Sequence, residues 1–181
     1  MEAFRRFHAK HPDSVWALHT LPKGGLDLER MRDRLGLTKA IRFSDQYLIM
    51  AGLLSQEDLA GWYNGLDVYL GTSMGEGFGI PHAEAQACGV PVIATRGSAM
   101  TEVCAKGWLV DGQGTWAEGH RSPWVRPSIP GIVKALEAAW SRGRAYEVKR
   151  AAARQAVRQY DIPLVVKAHL VPALKSLRME L

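Results

Sequence analysis

The chain has 181 residues, 47% hydrophobic and 23% charged, with a formal net charge of +5. That length suits one domain with a proper core and leaves little room for two, and no stretch approaches the ~20 apolar residues of a membrane-spanning helix. The charged opening "MEAFRRFHAKHPDS" lacks the apolar centre of a secretory signal, and two cysteines without CxxC spacing suggest neither a disulfide framework nor a zinc site, so reduced thiols in a cytoplasmic protein are expected.

In chain order, five short runs read as buried parallel strands: "SVWALHT" (14 to 20), "AIRF" (40 to 43), "DVYLGT" (67 to 72), "PVIAT" (91 to 95) and "GWLV" (107 to 110). Between them "DLERMRDRLG", "SQEDLAGWYNGL", "IPHAEAQACG" and "AMTEVCAKG" carry apolar residues at helical spacing. Asp27 and Ser55 are the expected N-caps of the first two, with Asp58 placed to complete a capping box. This alternation predicts an α/β fold: a Rossmann-like, doubly wound parallel sheet with helices on both faces, forming a single domain over 1–181. The Gly, Ser and Pro content of 111–130 predicts an irregular loop, in which Trp116 and Trp124 serve either as a lid over a ligand or as pins to the surface. Three helical segments follow over about 131–178, the last kinked at Pro172. Within them, 141–158 sets six Arg and Lys residues against Glu147. A solvated helix face is one reading, and a foothold on anionic lipid headgroups, peripheral to a membrane, is the sharper one. Nucleic acid is disfavoured, because Tyr146 is the segment's one aromatic and offers no stacking platform.

The chemistry concentrates in "GEGFGIPHAEAQACGVPVIAT" (75 to 95). Ligands of a doubly wound sheet settle at the carboxyl ends of the strands. There the loop from Ser73 to Gly79 leads into a helix whose Pro81 suits a first turn. The amides of Gly77, Phe78, Gly79 and Ile80 then face outward and favour an anion. A carboxylate repels phosphate, so Glu76 is matched to a neutral sugar hydroxyl, and Glu84, a little over two helical turns on, to a second set of hydroxyls. One anion between two hydroxyl-reading acids describes a nucleotide-diphosphate sugar. Glu76 on the transferred sugar is the catalytic candidate; Ser73, Gly77, Phe78, Gly79, Ile80 and Glu84 form the donor-binding set. His19 and Thr95, at strand ends, are further candidates, Thr95 and Ser98 either binding phosphate or capping the helix at Ala99. His82 reads as a solvent or packing residue, and no metal or other cofactor is expected.

The stretch "EGFGIPHAEAQACGVPVIAT" resembles the E-x7-E signature of the family 4 glycosyltransferases, group 1 type, which are retaining enzymes of the GT-B fold. The run "LAGWYNGLDVYLGTSMGEGFG" resembles the approach to that signature, and Glu102 falls where members carry a further Glu. The resemblance, from about Ala3 to Gly143, implies a C-terminal donor-binding domain of a transferase that moves a sugar from a UDP- or GDP-sugar to a hydroxyl acceptor. In it Glu76 contacts the donor sugar, Glu84 the ribose diol, and the amides from Gly77 to Ile80 the diphosphate. It also implies a partner, either an N-terminal acceptor domain or a second chain. A non-catalytic nucleotide-sugar-binding module acting with a partner chain is the alternative, and a nucleotide-sugar epimerase a third reading.

The opening "EAFRRFHAKHPDS" resembles the helix after the first strand of such a domain, which leaves that strand, and the Arg and Lys of its loop, without a counterpart. The strand belongs in the middle of the sheet. The expected compensations are "SVWALHT" moving over to pair with "DVYLGT", another chain filling the gap, or the sequence being a piece of a longer enzyme, since an unfilled gap strands backbone groups in the core.

Overall fold

The computed structural model describes residues 1–178. The five apolar runs form strands at the expected places: β1 (Trp16–Leu18), β2 (Ile41–Phe43), β3 (Tyr69–Gly71), β4 (Val92–Thr95) and β5 (Trp108–Val110). All their pairings are parallel, but the sheet is in two pieces: β1 pairs with β2, and β4 lies between β3 and β5. The expected pairing of "SVWALHT" with "DVYLGT" does not form. β1 bonds β2 instead, Trp16 opposite Ile41 and Leu18 opposite Phe43.

Helices cover both faces, as a doubly wound fold requires. On one side α1 (Glu2–His8) and α7 (Ile129–Trp140) bury Phe4, Phe7, Ile132 and Leu136 against Ile41, Ile93 and Val110. This single core lies under both pieces of sheet. On the other side α4 (Gln56–Asn64), α5 (Ile80–Ala87) and α6 (Met100–Val103) bury Tyr63, Ala85, Met100 and Val103 against Val92 and Ala94. β4 therefore has Val92, Ile93, Ala94 and Thr95 all fully buried.

The helix starts follow local chemistry. Asp27 accepts from the Arg30 N–H at 2.8 Å to open α2 (Leu28–Arg34). Ser55 and Asp58 close a capping box on α4, with Ser55 Oγ accepting from the Asp58 N–H at 3.1 Å and Asp58 Oδ2 from the Ser55 N–H at 2.9 Å. One short helix is new: α3 (Gln46–Met50), capped by Asp45, leaves Tyr47 and Met50 in solvent and so shows no apolar stripe in sequence.

The stretch 111–130 is not an irregular loop. β6 (Gly112–Ala117) and β7 (Ser122–Pro127) form an antiparallel hairpin. Pro123 and Pro127, which argue against a strand, lie opposite Trp116 and Gly112. Four residues apart, they fall in the same class of pair, the one that exchanges no ladder bonds, so their lack of an N–H costs nothing. Val125 is in that class too, and its N–H reaches outward to the Met74 carbonyl at 2.9 Å.

Beyond α7, α8 (Arg144–Val157) packs on α5, followed by α9 (Ile162–Val165), a π-helical stretch Val166–Leu170 and α10 (Val171–Arg178). The wide turn sits just ahead of Pro172, whose ring and missing N–H disturb the α-helical ladder there. Three of the six basic residues of 141–158 bond elsewhere in the chain, Lys149 from a half-buried position and Arg142 and Arg154 at the surface. Arg142 pairs with Asp67, Lys149 Nζ donates to the Gly107 carbonyl at 2.6 Å, and Arg154 Nε to the Ala87 carbonyl at 3.0 Å, at the end of α5. Burial holds the Lys149 ammonium below its ordinary range. Arg142 and Lys149 hold the start of α8 to the approaches of β3 and β5, and Arg154 ties α8 to α5, which favours a structural over a lipid-facing role for those residues. Among the described residues no helix is long and apolar enough to cross a membrane.

Candidate functional site

β3 ends at Gly71, and the loop to α5 passes Ser73, Gly75, Glu76, Gly77 and Phe78 before Gly79 opens the helix. Gly79 has φ of 86°, a left-handed conformation that L side chains adopt only with strain, and a Cβ there would stand 3.0 Å from His82 Nδ1. As N-cap it has no side chain to satisfy the first amides of α5, and Pro81 in the first turn has none to satisfy. Gly77, Phe78 and Ile80 are exposed beside it.

Below the loop His82 is fully buried. Its Nε2 lies 2.7 Å from the Gly71 carbonyl, and a carbonyl only accepts, so Nε2 carries the proton. A Cβ on Gly71 would meet Nε2 at 2.4 Å, so glycine is required where the strand ends on this ring. His82 is thus a packing residue that pins the start of α5 to the end of β3. Buried Gln86 extends the anchorage, donating to the carbonyls of His82 at 3.1 Å and Val103 at 3.0 Å.

Glu84 is half-buried and held: the Tyr63 hydroxyl on α4 donates to its Oε2 at 2.8 Å. Burial first, and then this bond, raises the Tyr63 hydroxyl above its usual range, so it stays a donor. Half-buried Tyr69, in the strand before the signature, feels the charge of both its acids. Burial pushes its hydroxyl up to about 12, with the negative charges of Glu76 and Glu84 adding to the shift. Glu84 also lines a groove of about 760 Å³ against α8, together with Arg154, Arg158 and Tyr160. Glu76 lies outside that groove; its N–H donates to Ser98 Oγ at 2.9 Å.

The remaining candidates are placed unevenly. Ser98, at φ of 47°, serves the Glu76 amide and does not cap α6, whose N-cap is Ala99. Ser73 is half-buried, its hydroxyl 3.5 Å from Met100 Sδ. Thr95 is fully buried at the end of β4, and its Oγ1 has no partner among the described residues. Phe78 packs edge-on against Tyr160, with ring centroids 5.0 Å apart. His19 is exposed, bonded through Nδ1 to Ser44 Oγ at 3.0 Å, with its ring 5.4 Å from that of Trp62. Trp62 in turn stands beside Tyr63 at 5.1 Å, which links the end of β1 to Glu84 through two aromatic rings. Trp124 is a pin, because the site for a Cβ on Gly75 falls 2.8 Å from its ring, whereas Trp116 is exposed.

A helix start without a side-chain cap, glycines in its approach, and two carboxylates, one of them held by Tyr63, suit a ligand with an anionic centre and hydroxyls. The family model of the glycosyl transferases group 1 matches residues 1–120. The chain belongs to that family. The D-inositol 3-phosphate glycosyltransferase 2 of Catenulispora acidiphila is 32% identical over 108 residues, which is 60% of this chain and 23% of that protein. The serotype-specific mannosyltransferase WbdA of Escherichia coli is 33% identical over 79 residues, 40% of this chain and 9% of that one. The chain thus spans about a quarter or less of the length of the curated relatives it matches. Among solved structures, the C-terminal domain of a glycosyl transferase group 1 family protein (LpcC) from Francisella tularensis superposes with a TM-score of 0.60 at 25% identity, covering 93% of this chain and 76% of that one. A chain of the GtfA/B complex gives a TM-score of 0.67 at 24% identity, covering 98% and 32%.

Tyr63, Tyr69 and Gln86 were not singled out by the sequence, and Ser98, read there as a phosphate ligand or helix cap, instead accepts from the Glu76 amide. Each acts across chain separations that no local pattern records, as when Tyr63 reaches Glu84 over 21 positions. The signal that existed was composition: aromatic residues at the end of one helix and the start of the strand before the signature.

Proposed function

We propose that this group 1 glycosyl transferase chain is the donor-binding domain of a retaining glycosyltransferase that moves a sugar from a nucleotide diphosphate to a hydroxyl acceptor. The observation that carries it is the start of α5, where the uncapped amides around Gly79 adjoin Glu76 on one side and the Tyr63-held Glu84 on the other. The diphosphate lies against the amides from Gly77 to Ile80, Glu76 faces the transferred sugar, and Glu84 accepts from the ribose diol. The tyrosine fixes one Glu84 oxygen and leaves the other for ligand. Transfer proceeds by positioning and by stabilising charge on the departing diphosphate. Amides aimed at that charge act without a metal, so donor binding is expected to survive chelation.

A non-catalytic module that binds the donor and works through a partner chain is the second reading, favoured by the small share of its relatives' length that the chain spans. Calorimetric titration with UDP- and GDP-sugars, followed by a donor-hydrolysis assay, separates the two. Binding with turnover supports the enzyme, binding without it the module. Affinity unchanged in both Glu76→Gln and Glu84→Gln would overturn both.

A further inference from the structure

Glu76 stands between Gly75 and Gly77, and a carboxylate flanked by two glycines gets little orientation from its own stretch of chain. Its order comes from elsewhere, and two sets of contacts converge on its backbone from the hairpin of β6 and β7. On one side the Val125 N–H donates to the Met74 carbonyl at 2.9 Å, and the Trp124 ring crowds the place of a Cβ on Gly75, with Cδ1 2.8 Å and Nε1 2.9 Å from it. On the other side the Val125 side chain does the same to Gly97, its Cγ2 lying 2.8 Å from the Cβ position. The next residue, Ser98, accepts from the Glu76 N–H at 2.9 Å. The loop that carries Ser98 is also bound to the root of the hairpin: the Arg96 N–H donates to the Val110 carbonyl at 2.8 Å, and Arg96 Nε to Asp111 Oδ1 at 2.7 Å.

The rest of the candidate site stands on other supports. Glu84 is held by Tyr63 of α4, and the start of α5 is pinned by His82 to Gly71 and by Gln86 to Val103. None of these residues belongs to the hairpin. We propose that Trp124, together with the Val125 backbone, positions Glu76, so that the hairpin governs how well the transferred sugar is held and leaves the nucleotide to α4 and α5, an assignment that rests on the donor-site reading above. The contacts engage the backbone and glycines on either side of Glu76 and not its carboxylate, so Trp124 is a positioning residue. A carboxylate loosened by its removal loses the benefit of being oriented before the sugar arrives, while the α5 amides and Glu84 keep their supports. Val125 offers an independent handle. It lies in the class of pairs that exchanges no ladder bonds, like Pro123 and Pro127, so a proline there deletes the bond to Met74 and spares the hairpin's own ladder.

The test reads the full chain and its variants in two ways. Amide hydrogen exchange followed by nitrogen-15 NMR needs no ligand: Trp124→Ala and Val125→Pro are expected to speed exchange of the Glu76 amide at least tenfold and to leave the Gln86 amide, inside α5, at its wild-type rate. Calorimetry compares UDP-glucose with UDP and GDP-mannose with GDP. For whichever pair the wild type binds, both variants are expected to weaken the sugar nucleotide at least fivefold and the bare diphosphate less than twofold. Trp124→Phe should restore the wild-type ratio, and Trp116→Ala, at an exposed position of the same hairpin, should keep it. An unchanged Glu76 amide in both variants, a Gln86 amide that speeds as much as Glu76, equal losses for sugar nucleotide and diphosphate, or an effect of Trp116→Ala as large as that of Trp124→Ala would each overturn the proposal with the donor site intact. A wild-type chain that binds neither the sugar nucleotides nor the diphosphates would instead remove the donor site itself, and the proposal with it.

Discussion

Two glycines two positions from each other separate the demands of the fold from those of the ligand. Gly79 combines φ of 86° with a Cβ position 3.0 Å from His82 Nδ1, whereas a Cβ on Gly77 meets no atom within 4 Å. Gly79→Ala forces a left-handed alanine, at about 1–2 kcal/mol. At roughly 2–4 °C per kcal/mol for a domain of this size, Tm falls by about 2–8 °C, more if the ring cannot give way. Gly77→Ala should leave stability within about 0.5 kcal/mol. Its methyl group, however, occupies the approach to the amides, and losing one charge-assisted contact of about 1.5–3 kcal/mol weakens donor binding roughly tenfold to a hundredfold or more. Thermal denaturation followed by circular dichroism, and calorimetric titration with a UDP-sugar, read the two effects. A Gly77→Ala protein of wild-type stability and wild-type donor affinity would refute the claim that the diphosphate packs against this backbone.

Tyr63→Phe removes the hydroxyl that holds Glu84, a bond to a charged group worth about 1.5–3 kcal/mol, reduced toward the lower end because water reaches the half-buried acid. It should lower Tm by about 3–6 °C and shrink the preference for ribo- over 2′-deoxyribonucleotide sugars; an intact preference would mean that Glu84 is oriented by something else. Hydrogen bonds from Arg5 and Arg6 hold the Glu2 carboxyl down to about 2, those from His11 and then Lys10 lower Glu137, and those from Ser55 lower Asp58. Folded values depressed below unfolded ones add stability above about pH 4 and lose it as pH falls through the folded values, so acid titration should show stability declining from about pH 4.5 toward 2. Salt should flatten the part due to Glu2 and Glu137, and Asp58→Asn should remove a salt-insensitive part. Burial pushes the Cys104 thiol up to about 12, so native protein should react with a thiol reagent at half-buried Cys88 and not at Cys104 until unfolded.

The legible parts of this sequence were those with a local signature. The five strands announce themselves as short β-branched runs, and the Ser55–Asp58 capping box and the Pro81 helix start are written within four residues each. The hairpin at 112–127 was hidden because its prolines oppose a strand unless the register is known, and the register spares them. Helix α3 was hidden because its apolar residues face water. In the site, the loop, both acids and Ser98 could be read as candidates, while their contacts could not: Tyr63 on another helix meets the Glu84 carboxylate, and Ser98 the Glu76 amide, only when the sheet forms. The basic segment keeps the exposed face its charges suggest, and what the sequence hides is that Arg142, Lys149 and Arg154 also bond Asp67 and distant carbonyls.

The most direct test of the donor site is a nitrogen-15 heteronuclear titration of the full chain with UDP- and GDP-sugars. Saturable shifts centred on the amides of Gly77, Phe78, Gly79 and Ile80, abolished or weakened tenfold or more in Glu84→Gln, are the result expected. Shifts confined to residues away from the start of α5, or none at all with any activated sugar, would contradict the account.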